Sequence, residues 1–384
     1  MCRRVLHRVG LGLLWLAALL SLAVAVVIID GWNAFGKQSR GDALARLERS
    51  PQWGDGHFEN PQPLHNDYMG MLSLGSKYAV PGKTIPVAHG TAERFSAPPS
   101  SGLRITWLGH STTLIEIDGQ TILTDPVFGD RAGPLTWAGP QRWYPPPIPL
   151  AKLPKIDAVL ISHDHYDHLD YPTIVRMLDW QTTFIVPLGV RTHLEYWGVD
   201  PARIVEVDWW EHTRIGTVDI ACVPARHASG RHLLDQNHTL WSGFALLGEQ
   251  HRVYFSGDTG LFPAMSEIGR RYGPFDVAMI EVGAYDRAWP DWHIGPEQAI
   301  QAHAMVRARV FFPVHWGLFD LAFHGWTEPI ERTLVAAARA NVVSVAPQPG
   351  QSIEPDRPPR LVRWWPDLPW DSAAEHPVIS TGMN

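Results

Sequence analysis

A short polar segment in the middle of the chain is dense in metal-binding side chains, in the order His163, Asp164, His165, Tyr166, Asp167 and His168. It follows the apolar run 158–161, which predicts a buried strand. Because a strand end holds such a loop firmly, His163 and His165 can face one ion, while Asp167 and His168 turn toward a second. Imidazole nitrogen and carboxylate oxygen suit zinc and also accept other divalent metals. The segment therefore predicts a metal site rather than a solvated loop.

Three further candidate ligands each follow an apolar run predicted to be a strand. His227 comes after 218–223, Asp258 after 253–255 and His315 after 310–312. Taken singly, each has a structural explanation, since a histidine can be a satisfied core residue and an aspartate a turn former. As a set they complete two ligand groups. A histidine triplet with a bridging aspartate suits one zinc, and the other is suited by Asp167, His168, Asp258 and His315.

The elements that must position these residues alternate in type. Predicted strands at 104–108, 112–117 and 120–124 open the series, and Asp118-Gly119 is a strong hairpin signal between the last two. More apolar runs follow, separated by helix-like segments at 172–178, 191–197, 262–271 and 296–306. This order predicts an α/β fold in which helices cover two sheets.

The chain divides into four predicted regions. Residues 1–30 form a membrane anchor or signal segment, and residues 31–100, broken by prolines, form an N-terminal extension that wraps the core. Residues 101–346 form the main domain, which carries the candidate ligands. The proline-rich tail 347–384 is expected to be a surface strap or partly disordered.

The N-terminal segment predicts a membrane location. Arginines 3, 4 and 8 precede an uncharged stretch, 10–29, that is about as long as a bilayer core. Residues 23–25 resemble a signal-peptidase site, but the apolar run continues to Ile29, which favours an uncleaved anchor. A buried core helix is the alternative. The positive charge before the segment favours a cytoplasmic N-terminus, and we therefore expect a bacterial inner-membrane protein with a periplasmic domain. Lys37 and Arg40, which follow the segment, weaken this difference in charge between its two sides.

Composition excludes some classes of function. With 384 residues, 45% hydrophobic and 18% charged, the chain is a globular body of enzyme size. A net charge of −7 without a basic cluster argues against nucleic-acid binding, including a nuclease. The two cysteines, Cys2 and Cys222, cannot form a disulfide framework.

The ordered ligand set resembles the metallo-β-lactamase superfamily, whose hallmark is H-x-H-x-D-H followed by His, Asp and His at later strand ends. The resemblance narrows to the N-acylphosphatidylethanolamine-hydrolysing phospholipase D family and its bacterial relatives, and it covers roughly residues 50–330. It is carried by the segments 56–61, 107–112, 123–128, 224–227 and 315–319. It implies an αββα sandwich.

The resemblance also implies a role for each residue. The first zinc takes His163, His165 and His227. The second takes Asp167, His168 and His315, with Asp258 between the two ions. Asp167 and His293 are assigned to catalysis, and His293 either donates a proton or holds the phosphate unless it is simply a helix-start residue.

Other expected contacts are less specific. His110 and Asp125 are expected to orient the ligands, with purely structural hydrogen bonding as the alternative. An apolar substrate groove is expected to be lined by aromatic side chains, although such side chains also pack in cores. These are Trp289, Trp292, Trp316 and Phe319.

The activity implied is phospholipase D-type hydrolysis. A hydroxide bridging two Zn²⁺ would attack phosphorus and release phosphatidic acid and an N-acylethanolamine. A lactonase or ester hydrolase of the same fold is the main alternative, and an anchored metal-binding protein without turnover is another. Expected partners are a phospholipid substrate and the membrane, without nucleic acid, while the oligomeric state stays open. Mammalian members of the family lack such an N-terminal segment, so localisation does not carry over.

Overall fold

The computed structural model describes residues 2–67, 81, 85–90 and 92–383. Parts of the predicted N-terminal extension, 68–80, 82–84 and 91, lie outside the described residues. The first element is a long helix, α1 (Cys2–Gly31). The most apolar 18-residue window within its stretch Gly10–Gly31 has a mean hydropathy of 2.8 and contains no buried residue, so by length and composition the stretch could span a membrane. A signal sequence near the N-terminus would have the same properties.

The extension that follows α1 contains short elements only. A helix, α2 (Asp42–Leu47), precedes a two-stranded hairpin of β1 (Trp53–Gly54) and β2 (His57–Phe58). Leu47 and Phe58 are buried in the core cluster of the main body. The described part of the extension is therefore packed against the domain that follows it.

The main body is built on two seven-stranded sheets. The first has the order β16-β3-β4-β5-β6-β7-β8. Its strands are β3 (Leu103–Gly109), β4 (Thr112–Ile117), β5 (Gln120–Thr124), β6 (Ala158–Leu160), β7 (Thr183–Pro187), β8 (Ile204–Val207) and β16 (Ser352–Ile353). β3, β4 and β5 are antiparallel, joined by tight turns, and β5 to β8 are parallel.

The second sheet has the order β15-β14-β13-β12-β11-β10-β9. Its strands are β9 (His212–Ile215), β10 (Val218–Val223), β11 (Gly243–Leu247), β12 (Arg252–Phe255), β13 (Phe275–Glu281), β14 (Ala308–Val314) and β15 (Val343–Ser344). β12 to β15 are parallel. The carboxyl ends of β12, β13 and β14 therefore meet at one edge of the sandwich.

Helices cover both outer faces. The largest core cluster joins inward residues of both sheets, such as Ile115 and Phe244, to residues of α5 (Ala264–Tyr272), α6 (Pro296–Val306) and α7 (Glu328–Arg339). A second cluster joins the outer face of the first sheet, including Leu114, to α3 (Tyr171–Val175) and α4 (Val190–Tyr196). Alternate residues of β4 thus serve two cores, because successive side chains of a strand point to opposite faces. The predicted αββα architecture is confirmed.

Candidate metal centre

Every candidate ligand lies at or just after the end of a strand. The segment 163–168 follows β6, His227 follows β10, Asp258 follows β12 and His315 follows β14. Apolar strands anchored in the core carry these loops, so the polar side chains reach one edge of the sandwich from both sheets. All are buried except His165 and Asp167, which are partly exposed.

Three histidines form the first candidate ligand group. His165 Nδ1 lies 2.9 Å from His163 Nε2 and 3.2 Å from His227 Nε2. Asp258 Oδ2 lies 3.8 Å from both His163 Nε2 and His227 Nε2. Three imidazole nitrogens and one carboxylate oxygen thus face a common point, which is the donor set that zinc prefers.

The second group adjoins the first through the same carboxylate. Asp258 Oδ2 lies 3.0 Å from His168 Nε2 and 3.0 Å from His315 Nε2. Asp167 Oδ2 lies 3.4 Å from His168 Nε2 and 3.3 Å from His315 Nε2. Asp258 therefore stands between the two groups.

Unpartnered buried atoms show that these residues fit bound cations. Among the described residues, Asp258 Oδ1 is buried without a partner, and His168 Nε2 and His315 Nε2 are buried without a hydrogen bond of normal geometry, although each lies 3.0 Å from Asp258 Oδ2. A buried polar atom left without a partner costs about 1–3 kcal/mol. Metal ions bound by these atoms would offset that cost, and each atom is of a type that coordinates zinc.

The protonation of the two groups differs. Burial, with the neighbouring histidines, lowers the pKa of His163 and that of His227 well below the usual range, so both rings are neutral and able to bind metal. Burial also opposes the charged form of His168, but Asp258 and the other adjacent carboxylates raise its pKa well above the usual range. A proton thus occupies the second group in the absence of metal, and metal binding must displace it.

The two residues predicted to orient ligands both contact them. Asp125 Oδ2 lies 2.7 Å from His168 Nδ1, and the Asp125 carboxylate accepts hydrogen bonds from the Ser162 backbone N–H at 2.7 Å and hydroxyl at 2.6 Å. His110 Nε2 lies 3.0 Å from Asp167 Oδ2. These bonds fix ring and carboxylate orientation, which tunes metal affinity in such sites.

Three residues at the candidate centre have a left-handed backbone. His110, Asp125 and His315 have positive φ angles of 52°, 34° and 62°. A left-handed backbone is uncommon for residues other than glycine and clusters at functional sites. Each of the three turns its side chain toward the ligand groups at the point where a strand ends.

His293 lies beside the second group, and its partner was missed in the sequence. His293 Nδ1 lies 2.8 Å from Glu281 Oε2 and 3.7 Å from Asp258 Oδ2. Glu281 is the last residue of β13, is fully buried, and accepts a hydrogen bond from the Thr259 backbone N–H. A polar residue at the end of an apolar strand marks the other candidates too, but a single glutamate in this position does not by itself indicate a site. Burial lowers the pKa of His293 to about 4, so its ring is neutral at pH 7.

The four predicted groove residues fall into two kinds of environment. Trp292 is half-buried with its ring 5.7 Å from that of His227, and Phe319 lies 5.4 Å from His110, so both contact the candidate centre. Trp316 is buried and stacks on Trp107 at 5.3 Å, within an aromatic cluster. Trp289 is half-buried, and its Nε1 donates to the Ala284 carbonyl oxygen. Their contact with substrate stays a prediction.

Two segments far from the centre along the chain, around residues 60 and 381, also form hydrogen bonds beside it. Asn60 Nδ2 donates to the His227 carbonyl oxygen at 2.6 Å. The buried ion pair between Arg226 and Asp291, 2.8 Å apart, lies next to His227 and Trp292, and Asp291 accepts from the Thr381 backbone N–H at 2.7 Å. Local sequence patterns do not indicate this long-range contact, because its members are far apart along the chain.

Comparisons with known proteins agree with this geometry. The chain matches the Beta-lactamase superfamily domain over residues 120–316. It is 46% identical over 331 residues to an uncharacterized protein of Mycobacterium tuberculosis, covering 83% of this chain and 88% of that protein. It is 41% identical over 261 residues to N-acyl-phosphatidylethanolamine-hydrolyzing phospholipase D 1 of Caenorhabditis elegans, covering 65% of this chain and 73% of that protein.

A solved structure shares the fold. A metallo hydrolase from the archaeon Ignicoccus hospitalis superposes with a TM-score of 0.51 at 23% identity, covering 65% of this chain and 97% of that one. The fold and the site together define a metal-dependent hydrolase of the metallo-β-lactamase superfamily. Within that superfamily, the chain belongs to the N-acylphosphatidylethanolamine-hydrolysing phospholipase D-like family.

Proposed function

We propose that the protein is a two-zinc phosphodiesterase that hydrolyses N-acylphosphatidylethanolamine-type phospholipids to phosphatidic acid and an N-acylethanolamine. The proposal rests on the 41% identity to the Caenorhabditis elegans enzyme named for this substrate. The two adjacent ligand groups that share Asp258 support it, because two-metal sites serve phosphodiester hydrolysis.

The residues that would hold the metals follow from the contacts above. His163, His165 and His227 would hold one ion, and Asp167, His168 and His315 the other, with Asp258 between them. When bound, the ions would activate water and stabilise negative charge on the phosphate oxygens. Asp125 and His110 keep the ligands oriented through their hydrogen bonds to His168 and Asp167.

His293 is placed to move a proton. Its Nδ1 is occupied by the bond to Glu281 Oε2, which leaves Nε2 for the substrate or for water. In the reaction, water oxygen forms a bond to phosphorus, and the bond from phosphorus to the ethanolamine oxygen breaks. The departing oxygen must gain the proton that the attacking water loses, and the neutral imidazole of His293 can carry it.

The membrane helix suits such a substrate. N-acylated phosphatidylethanolamine remains in the bilayer, and α1 would hold the enzyme at the same surface. The proposed partners are therefore the membrane and a phospholipid.

The test is hydrolysis of N-acylphosphatidylethanolamine in mixed micelles by the full-length protein, with metal content measured on the same samples. We expect release of N-acylethanolamine by the parent at close to two zinc ions per chain. Asp258→Asn should lose activity by about 10³-fold or more and lose bound metal, because both groups use this carboxylate. Glu249→Gln, an exposed site, is the matched control and should behave as the parent.

Two results would contradict the proposal. A parent protein that binds metal but cleaves no phosphodiester would overturn the substrate assignment and make lactones and esters the next substrates to try. An Asp258→Asn variant with full activity would overturn the assignment of the centre.

A further inference from the structure

Apolar side chains are exposed where α1 meets the main body. Trp32, directly after the helix, is 61% exposed, and Trp137 is 57% exposed. Leu233 and Leu234, at the tip of the loop between β10 and β11, are 93% and 81% exposed. Exposed apolar groups gathered in this way mark interaction surfaces. We call these four residues the apolar collar.

Contacts place the members of the collar around the end of α1. The Gln38 side chain donates to the Leu234 carbonyl oxygen at 2.9 Å, which joins the loop tip to the segment after the helix. On the other side, Asp30 accepts hydrogen bonds from the Thr136 backbone N–H at 2.8 Å and hydroxyl at 3.0 Å, next to Trp137. The collar is thus continuous with the helix that could enter a membrane.

A groove beside the collar combines apolar walls with basic groups. It encloses about 650 Å³. Its walls include Trp32, Phe35, Tyr196 and Leu234, and its basic groups are Lys37 and Arg40. Lys37 Nζ lies 5.5 Å from the centre of the Tyr196 ring. Aromatic and basic side chains together are typical of the headgroup level of a bilayer, where tryptophan and tyrosine are enriched and cations meet lipid phosphates.

The same loop is bonded to the metal-binding segment. Arg231 lies between the two leucines and His227 along the chain. Its Nε donates to the Ala34 carbonyl oxygen at 2.7 Å, and its Nη1 donates to the Asp164 carbonyl oxygen at 2.5 Å. The guanidinium also lies 4.2 Å from the centre of the Tyr166 ring. One buried cation therefore joins the segment after α1 to the loop that carries His163, His165 and Asp167.

We propose that the apolar collar is a second membrane contact, which inserts into the lipid interface beside α1 and so sets the distance between the candidate metal centre and the bilayer. The collar would contact the phospholipid surface itself. This partner is favoured because the collar is continuous with α1 and because the basic groups of the groove, Lys37 and Arg40, can meet lipid phosphates. The inference rests on the proposed action at a membrane. It goes beyond anchoring, since a helix alone would not require exposed leucines on a loop that follows His227.

The direct test is the depth of the collar in lipid. Full-length Leu234→Cys, in a Cys2→Ser background, is spin-labelled and reconstituted in vesicles of phosphatidylethanolamine and phosphatidylglycerol; Cys222 is buried. We expect the label to be accessible to oxygen, which dissolves in lipid, and shielded from an aqueous nickel chelate. The matched control is Val362→Cys in the C-terminal tail, 71% exposed, which should show the opposite pattern.

Two outcomes would overturn the proposal. A label at position 234 that is as accessible to nickel as the label at 362 would show that the loop stays in water. A label shielded from both reagents would show that protein covers the loop, which favours a second copy or another protein. No substrate enters this measurement, so its result is independent of whether the proposed activity is correct.

A kinetic test follows if the enzyme turns over. The double variant Leu233→Ser and Leu234→Ser should lower kcat/KM for substrate in vesicles by about fivefold or more, because interfacial binding scales with buried apolar area. Turnover of a short-chain, water-soluble analogue should be unchanged. Equal rates for parent and variant on vesicles would contradict a role for the collar in lipid turnover.

Discussion

Glu281 and His293 form a pair whose members approach the candidate centre from different elements. Glu281 ends β13, His293 precedes α6, and the 2.8 Å bond between them fixes the ring against the carboxylate of Asp258. Neither residue is needed to complete the two ligand groups. The pair adjoins the ligands, with Glu281 Oε2 3.7 Å from His315 Nδ1, but it belongs to neither ligand group, so replacing Glu281 can distinguish proton transfer from metal binding.

We predict that Glu281→Gln lowers kcat by about 10- to 100-fold while metal content stays near that of the parent, as is usual when a group that orients the site is lost. The glutamine side chain is a neutral amide, so it no longer favours the ring tautomer of His293 that carries hydrogen on Nδ1. The ring is then less often in the form that transfers the proton. Steady-state kinetics and metal analysis on the same sample measure both effects. Unchanged kcat would contradict the role given to the pair, and Glu249→Gln again serves as the exposed control.

His303 provides a test of burial away from the centre. It lies on α6 with its ring 5.7 Å from that of Phe311, and burial lowers its pKa from 6.5 to about 4. Between these pH values, the His303 ring is therefore protonated in the unfolded chain and neutral in the folded protein. Folding stability falls as pH drops through this window and is fully present above about pH 6.5.

We predict that His303→Leu reduces this pH dependence. Between pH 7.5 and pH 5, the parent should lose about 2 kcal/mol more free energy of unfolding than the variant, at roughly 1.4 kcal/mol per pKa unit. Denaturant unfolding of both proteins at the two pH values measures the difference. Equal losses would show that His303 does not titrate in this way.

At the scale of elements, the long-range brace between Arg226 and Asp291 joins four separate stretches of chain. Arg226 donates to the carbonyl oxygens of Pro63 and Thr381, and Asp291 accepts from the His65 backbone N–H at 2.8 Å. Segments near both ends of the chain thus meet beside the loop that carries His293. The tail from residue 347 onward also supplies β16 and buries Trp365 and Val378.

We predict that Asp291→Asn destabilises the protein by about 3 kcal/mol or more, because it leaves the Arg226 guanidinium buried without its counterion. Thermal unfolding of the full-length protein in detergent measures this as a lower Tm. Asp276→Asn, at a partly exposed carboxylate on β13, is the control and should change Tm little. A parent-like Tm for Asp291→Asn would contradict the structural role of the pair.

Sequence patterns predicted the elements whose signals are local. The helix Pro296–Val306 appears with the predicted bounds, since proline at its first turn and glycine before it mark the start. The helix Glu328–Arg339 was not predicted, and β16, with two residues, is too short to carry an alternating pattern. The ligand segment 163–168 was evident from its composition. Asp291 and Glu281 were not, because their roles arise only when distant segments meet.

For the whole molecule, the side of the membrane remains a prediction from charge. Arginines 3, 4 and 8 lie in the first turns of α1, ahead of its apolar stretch, and favour a cytoplasmic N-terminus, which would place the body in the periplasm. We predict that alkaline phosphatase fused after the last residue is active and that green fluorescent protein at the same place is dark. Active phosphatase requires export, so bright fluorescence with inactive phosphatase would reverse the orientation.

The contact between Asp30 and Thr136 has a consequence for how the enzyme would meet its substrate. Two hydrogen bonds tie the end of α1 to the body, so the two are joined directly as well as through the chain. An enzyme anchored by α1, as proposed, would explore a plane rather than a volume. Its encounters with lipid would depend on lateral diffusion, and its rate on the mole fraction of substrate in the bilayer rather than on bulk concentration.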